Sequence, residues 1–196
     1  MQEELTNLIR NMDLKQKKHN LLFFLEKIWY IFIGDDMKNI RLGFASDHRG
    51  YELKEKLIDY FKKQDNIVDI TDCGTNSLES CDYPDFAKLL GKLIQSNEID
   101  YGIAICGSGI GISIALNKMK GVYCAKVNNA IEARYTRLDN NTNVVAISGD
   151  TNLEEAKKIV VNFINTEFSN LERHKIRIEK VKKIEEQLWQ SLYYMY

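Results

Sequence analysis

The sequence predicts an α/β protein, a Rossmann-like three-layer αβα sandwich with a five-stranded parallel sheet. Three observations predict it. From Asn39 onward, short apolar runs alternate with segments of helical period. Those runs are of strand length and nearly unbroken, as in strands buried on both faces. The 196-residue chain is 44% apolar and 28% charged, which is enough to bury one sizeable core. Strands separated by helices need crossover connections, and these make the sheet parallel and cover both of its faces.

Ile40 to Ala45 is apolar, bounded by polar residues, and reads as the first strand. Ser46-Asp47-His48-Arg49-Gly50 supplies turn and capping residues. Leu53, Leu57, Ile58 and Phe61 then recur at helical spacing, with Lys and Glu between them. Ile67 to Thr71 is the second strand, and Asp72 to Tyr83 a polar loop. Pro84, the only proline, suits the first turn of a helix to about Asn97. Tyr101 to Cys106 is the third strand, and Gly107-Ser108-Gly109-Ile110-Gly111 opens a helix to about Lys118. Val122 to Val127 reads as a strand, Ala130 to Leu138 as a helix and Val144 to Ile147 as the fifth strand. Helices follow over Leu153 to Phe168 and over the charged segment Leu171 to Leu188, so the domain is expected to span residues 37–188, with a tail at 189–196.

Residues 1–36 are expected to be an extension, disordered or helical, with Met37 resembling a second start. Leu21 to Gly34 is apolar and follows the basic Lys15-Gln16-Lys17-Lys18-His19. Glu26 and Lys27 interrupt it, no small-residue cleavage site follows, and it is shorter than the roughly 20 residues a bilayer span requires. Stable membrane insertion is therefore not expected, although this segment keeps a membrane-tethered reading open. A net charge of −1 argues against a general nucleic-acid partner while leaving room for a small anionic substrate. Cys73, Cys81, Cys106 and Cys124 form no Cys-x-x-Cys pair, and His19, His48 and His174 are scattered. No metal site is expected, and free thiols suit a reducing, cytoplasmic setting.

In doubly wound sheets, ligands bind beyond the carboxyl ends of the strands. That places the candidate site at Asp47-His48 after the first strand, at Cys106 to Gly111 after the third, and at Asn140 to Asn143 before the fifth. Glycine amides at a helix start can line an anion pocket, and there they would favour the thiolate of Cys106 or an enediolate. The other reading makes Cys106 a small buried hydrophobe and the glycines a tight turn. The loop is neither a dinucleotide fingerprint nor a P-loop. Asp47 either caps the helix or meets a ligand, and His48 is either a phosphate contact or a surface residue. Arg173 and Arg177 lie four apart on one helix face, with His174 between them. They form either a phosphate grip or part of a solvated charged helix.

The order of Gly-Phe-Ala-Ser-Asp-His-Arg-Gly (43 to 50), Cys-Asp-Tyr-Pro (81 to 84), the run from Ile105 to Lys118, Asn-Thr-Asn-Val (141 to 144) and Arg-His-Lys-Ile-Arg (173 to 177) resembles the family of ribose-5-phosphate isomerase B and the galactose-6-phosphate isomerase subunits. The resemblance covers about Lys38 to Glu186 and implies a cofactor-free, metal-free isomerase. Such an enzyme interconverts ribose 5-phosphate and ribulose 5-phosphate through an enediol, in the pentose phosphate pathway. By this resemblance Cys106 moves the proton, while Ser108 and the amides of Gly107, Gly109 and Gly111 hold the enediolate. Asp47 binds sugar hydroxyls, and Asn140 contacts the intermediate. His48, Arg173 and Arg177 hold the phosphate, with His174 nearby. The family is a homodimer or dimer of dimers, with active sites made from two subunits. Two positions depart from it. Asp139 stands where relatives carry a ring-opening histidine, and a carboxylate is a poorer proton donor at neutral pH. Some relatives carry an arginine near the position of Asp150, where a carboxylate would repel phosphate. These departures leave open a hexose 6-phosphate substrate (galactose, allose or tagatose type) or a non-catalytic sugar-phosphate-binding protein.

Overall fold

The computed structural model describes residues 39–193, with side chains as far as Gln187. The domain begins at Asn39, and the extension expected over 1–36 lies outside the described residues. Five strands alternate with helices: β1 (Ile40–Ser46), α1 (Tyr51–Phe61), β2 (Ile67–Asp72), α2 (Tyr83–Gln95), β3 (Tyr101–Cys106), α3 (Ile110–Leu116), β4 (Cys124–Lys126), α4 (Ala130–Asn140), β5 (Val144–Ser148), α5 (Leu153–Ile164) and α6 (Glu172–Tyr193). All pairings are parallel, in the order β2-β1-β3-β5-β4. The chain leaves β1 towards one edge and returns through β3 towards the other. The crevice at the carboxyl ends of β1 and β3 is therefore a topological switch point.

The two faces of the sheet differ in side-chain size. Leu42, Phe44, Tyr101, Ile103, Ile105, Val145 and Ile147 pack under α1, α4 and α5. The opposite face carries Ala45, Ala104, Cys106, Val144 and Ala146 against α2 and α3. Gly102 lies on that thin face, where an added Cβ would come within 3.0 Å of Val144 and 3.1 Å of Leu90. Small residues bring α2 and α3 close to the sheet, and Cys106 ends β3 in that layer.

Several boundaries differ from expectation. β4 is only three residues long: an asparagine side chain takes the N–H of the residue before it, and a second holds its first residue. Tyr123 N–H donates to Asn143 Oδ1 at 2.9 Å, and Cys124 N–H to Asn117 Oδ1 at 2.9 Å. α2 stops at Gln95, just before Asn97 turns left-handed at φ 56°. α6 continues to Tyr193, beyond the expected end at 188, and the last three residues of the expected tail lie outside the described residues. Asn129 and Asn152 cap α4 and α5 by accepting from Glu132 N–H and Glu155 N–H. Among the described residues, no helix is long and apolar enough to cross a membrane.

Candidate active site

Cys106 is 4% exposed, and its Sγ accepts the Gly109 N–H at 3.2 Å. Gly109 sits at φ 76°, and a Cβ there would lie 2.8 Å from the Ile147 backbone, so the turn over the thiol is closed to any other residue. Two bonds from the end of β5 fix the loop: Gly149 N–H donates to Cys106 C=O at 2.8 Å, and Ser148 Oγ donates to Gly107 C=O at 2.7 Å. Ser108 is exposed, and its Oγ accepts Ile110 N–H at 3.2 Å. Across Gly111 lies the ring of Tyr83, 2.6 Å from where a Cβ would stand. Tyr83 was not singled out as a site residue from the sequence, and its one signal was its place in the Cys81 to Pro84 motif.

Asp47 is 6% exposed, and its Oδ1 accepts Arg49 N–H at 2.9 Å and Gly50 N–H at 3.1 Å. That oxygen closes the turn before α1 and does not cap the helix, whose N-cap is Gly50 with no side-chain hydrogen bond. His48 Nδ1 accepts the Cys81 N–H at 3.2 Å, so in the neutral ring Nε2 carries the proton. Arg49, also outside the residues proposed from sequence, forms an ion pair with Asp150 at 3.6 Å. Of the other thiols, burial pushes Cys73 up to about 11, with Asp72 and Glu98 adding to the rise. Burial alone raises Cys124.

The remaining candidates gather elsewhere. Asp139 and Asn140 end α4, while Arg173, His174 and Arg177 begin α6. Arg177 and Asn140 line one open cleft of about 280 Å³. In the register of the sheet, Gly102 pairs with Val144 and Cys106 with Ser148. Asn140 precedes β5, whereas Cys106 lies beside its far end. Four residue steps of about 3.3 Å separate these ends by roughly 13 Å. The expectation that Asn140 to Asn143 would stand with Cys106 at the carboxyl end of the sheet therefore fails within one chain.

His174 is 5% exposed and wedged between the two helices. Its Nδ1 lies 3.1 Å from the Asp139 carbonyl, and its Nε2 lies 2.9 Å from Arg173 Nε. A neutral ring satisfies both contacts, with Nδ1–H donating to the carbonyl and Nε2 accepting from arginine. The Asp139 carboxylate is 3.7 Å from Nε2, too far for a hydrogen bond to a nitrogen whose lone pair is already taken. His174 thus holds Arg173 and the end of α4 in place, leaving both arginines exposed. Among the described residues, no group of three His, Cys, Asp or Glu side chains could hold a metal ion.

The model of the ribose/galactose isomerase family matches residues 42–181. Ribose-5-phosphate isomerase B of Escherichia coli is 35% identical over 147 residues, covering 74% of this chain and 97% of that protein. The structure of Clostridium thermocellum ribose-5-phosphate isomerase B superposes with a TM-score of 0.73 at 39% identity, covering 76% of this chain and 99% of the other. That of Mycoplasma genitalium ribose-5-phosphate isomerase B, with bound ribulose 5-phosphate, gives 0.70 at 35% identity, over 76% and 98% of the two chains. These matches span both clusters of candidate residues, and the chain belongs to the ribose/galactose isomerase family.

Proposed function

We propose that this protein interconverts ribose 5-phosphate and ribulose 5-phosphate by proton transfer through an enediol, as a cytoplasmic enzyme of the pentose phosphate pathway. The observation that carries the reading is the Cys106 thiol, held beneath the Gly107–Gly111 turn at the switch point and hydrogen-bonded to Gly109 N–H. Relatives named for that reaction, one of them with the ketose phosphate bound, support the substrate.

In this reading the thiolate of Cys106 takes the proton from C2 of the open-chain aldose. The electron pair forms the C1=C2 bond, and the carbonyl oxygen O1 becomes the enediolate oxygen. Ser108 and the amides of Gly107 and Gly111 hold that charge, while the Gly109 N–H stays on the sulfur. Return of the proton to C1, with the O2 proton passing to O1, leaves the ketone at C2. Atoms and electrons balance without a redox partner. Asp47 orients hydroxyls through its second carboxylate oxygen, and His48 donates from Nε2 to the phosphate. Asp139 takes the place of a ring-opening histidine.

The separation of the two clusters supports an assembly in which a second copy completes each site. Cys106, Asp47 and His48 come from one protomer. Asp139, Asn140, Arg173 and Arg177 come from its partner, with His174 as the residue that positions Arg173. This makes the enzyme a homodimer or a dimer of dimers. The test is ribulose 5-phosphate formation by the full chain and by Cys106→Ala. Loss of a proton-transfer group should lower kcat by about 10³-fold. A kcat unchanged in the variant removes Cys106 from the reaction.

A further inference from the structure

The glycine turn has a cationic neighbour that the isomerase reading leaves without a task. Arg49 follows His48 in the turn after β1, and its side chain is 58% exposed. The guanidinium is nonetheless placed. Cδ and Nε of Arg49 lie 3.2 Å, and Cζ 3.3 Å, from where a Cβ on Gly107 would stand, so the side chain lies flat over the residue next to Cys106. Its backbone is fixed at both ends. The N–H is held by Asp47 Oδ1 at 2.9 Å, and the carbonyl packs against Gly149, where a Cβ would come within 2.2 Å.

The charge on this arginine is poorly matched by its surroundings. Among the described residues its side chain has one ion pair, to Asp150 Oδ2 at 3.6 Å, and Asp150 is itself 78% exposed. A single contact of that length is not the two-pronged, 2.7–2.9 Å geometry in which guanidinium binds an oxyanion strongly. Exposed pairs of this kind contribute about 0–1 kcal/mol, equivalent to at most about a fivefold effect. Asp150 belongs to the Ser148–Asp150 segment that also clamps Gly107, since its N–H donates to Ser148 Oγ at 3.1 Å. Arginine, aspartate and glycine turn are therefore parts of one connected structure.

We propose that Arg49 is a phosphate-binding residue of the site and that Asp150 is its built-in competitor, a carboxylate that occupies the guanidinium until a phosphate dianion displaces it. The inference rests on the isomerase reading only for the identity of the sugar, because the chemistry recognised is the phosphate itself. It adds a cation contributed by the Cys106 protomer to those contributed by the partner. It also gives Asp150 a role in setting affinity: the carboxylate opposes phosphate binding, both by competing for Arg49 and by like-charge repulsion.

The test measures KM for ribose 5-phosphate and the inhibition constant of inorganic phosphate on the full chain, for wild type, Arg49→Gln, Arg49→Lys, Asp150→Asn and the double variant. Arg49→Gln should raise both constants about tenfold, with the change carried by KM rather than kcat. Arg49→Lys should restore only part of the loss. Asp150→Asn should lower both constants about threefold, and by less once Arg49 is Gln, because the competition is then gone. Constants unmoved by Arg49→Gln, or raised by Asp150→Asn, would overturn the proposal. If the wild type turns over no ribose 5-phosphate, the isomerase reading falls, while calorimetric titration with inorganic phosphate still decides the role of Arg49. No phosphate affinity in wild type would overturn that role as well.

Discussion

At the scale of single residues, the thiols differ in what surrounds the sulfur: Cys106 and Cys124 are both buried, and Cys73 and Cys81 half-buried. Cys106 ends a strand on the thin face and keeps a backbone N–H on its sulfur. Cys73 and Cys124 are packed so that burial favours their neutral forms, Cys73 rising to about 11. The folded state binds the thiol proton more tightly than the unfolded chain, so this stabilisation is present below the ordinary thiol range and is lost as pH rises through the folded value. The urea midpoint should fall between about pH 9 and pH 11, and Cys73→Ala with Cys124→Ala should flatten that fall. A variant profile as steep as that of wild type would contradict the assignment. The Cys106 turn was legible in sequence because its constraint is local: a glycine is required where the chain turns left-handed over the sulfur. Arg49 and Tyr83 were not, because each meets the site by lying across a glycine distant in the chain, a contact that no spacing encodes.

Among the elements, the five strands and the helices between them follow from pattern, because a run buried on both faces and a helical stripe have different periods. Lengths were less legible wherever a side chain replaced the backbone as a partner. Asn143 shortens β4 in this way by taking Tyr123 N–H, and α3 ends where Asn117 Nδ2 donates to Ser113 C=O at 2.9 Å. Arg137 plays the corresponding part at the end of α4. It is 6% exposed, donates to Asn141 Oδ1 at 2.9 Å and to the carbonyls of Thr142 and Thr166, and lies 4.9 Å over the Tyr101 ring. It ties the helix carrying Asp139 and Asn140 to β5 and to the end of α5. Arg137→Met keeps the packing length but strands two carbonyls, which should cost about 2–4 kcal/mol. Urea denaturation measures this, and a loss below about 0.5 kcal/mol would show that the carbonyls find other partners.

Across the whole molecule, the parallel sheet does two things. Its switch point places the thiol, Asp47 and His48 in one crevice. The length of its strands keeps the arginine pair and the end of α4 at the other end. The sequence motifs contain both groups, but motif order along the chain does not say at which end of a strand a residue lies. For Asn140 the only hint was that it precedes β5 rather than following it. The division also explains why neither group resembles a finished site: one has the thiol proposed as base without the arginine pair, and the other has the arginines without a thiol. Subunit complementation tests whether a single site is built around Cys106 from two copies. Cys106→Ala and the double variant Arg173→Ala/Arg177→Ala are co-expressed with different tags, and the mixed dimer pool is assayed below KM. Random pairing makes about half of the dimers mixed, and each of these regains one of its two sites, so the unfractionated pool should show about a quarter of wild-type activity where each variant alone shows almost none. Activity in that pool no higher than the sum of the two variants, with mixed dimers demonstrated through their two tags, would show that each site is complete within one copy.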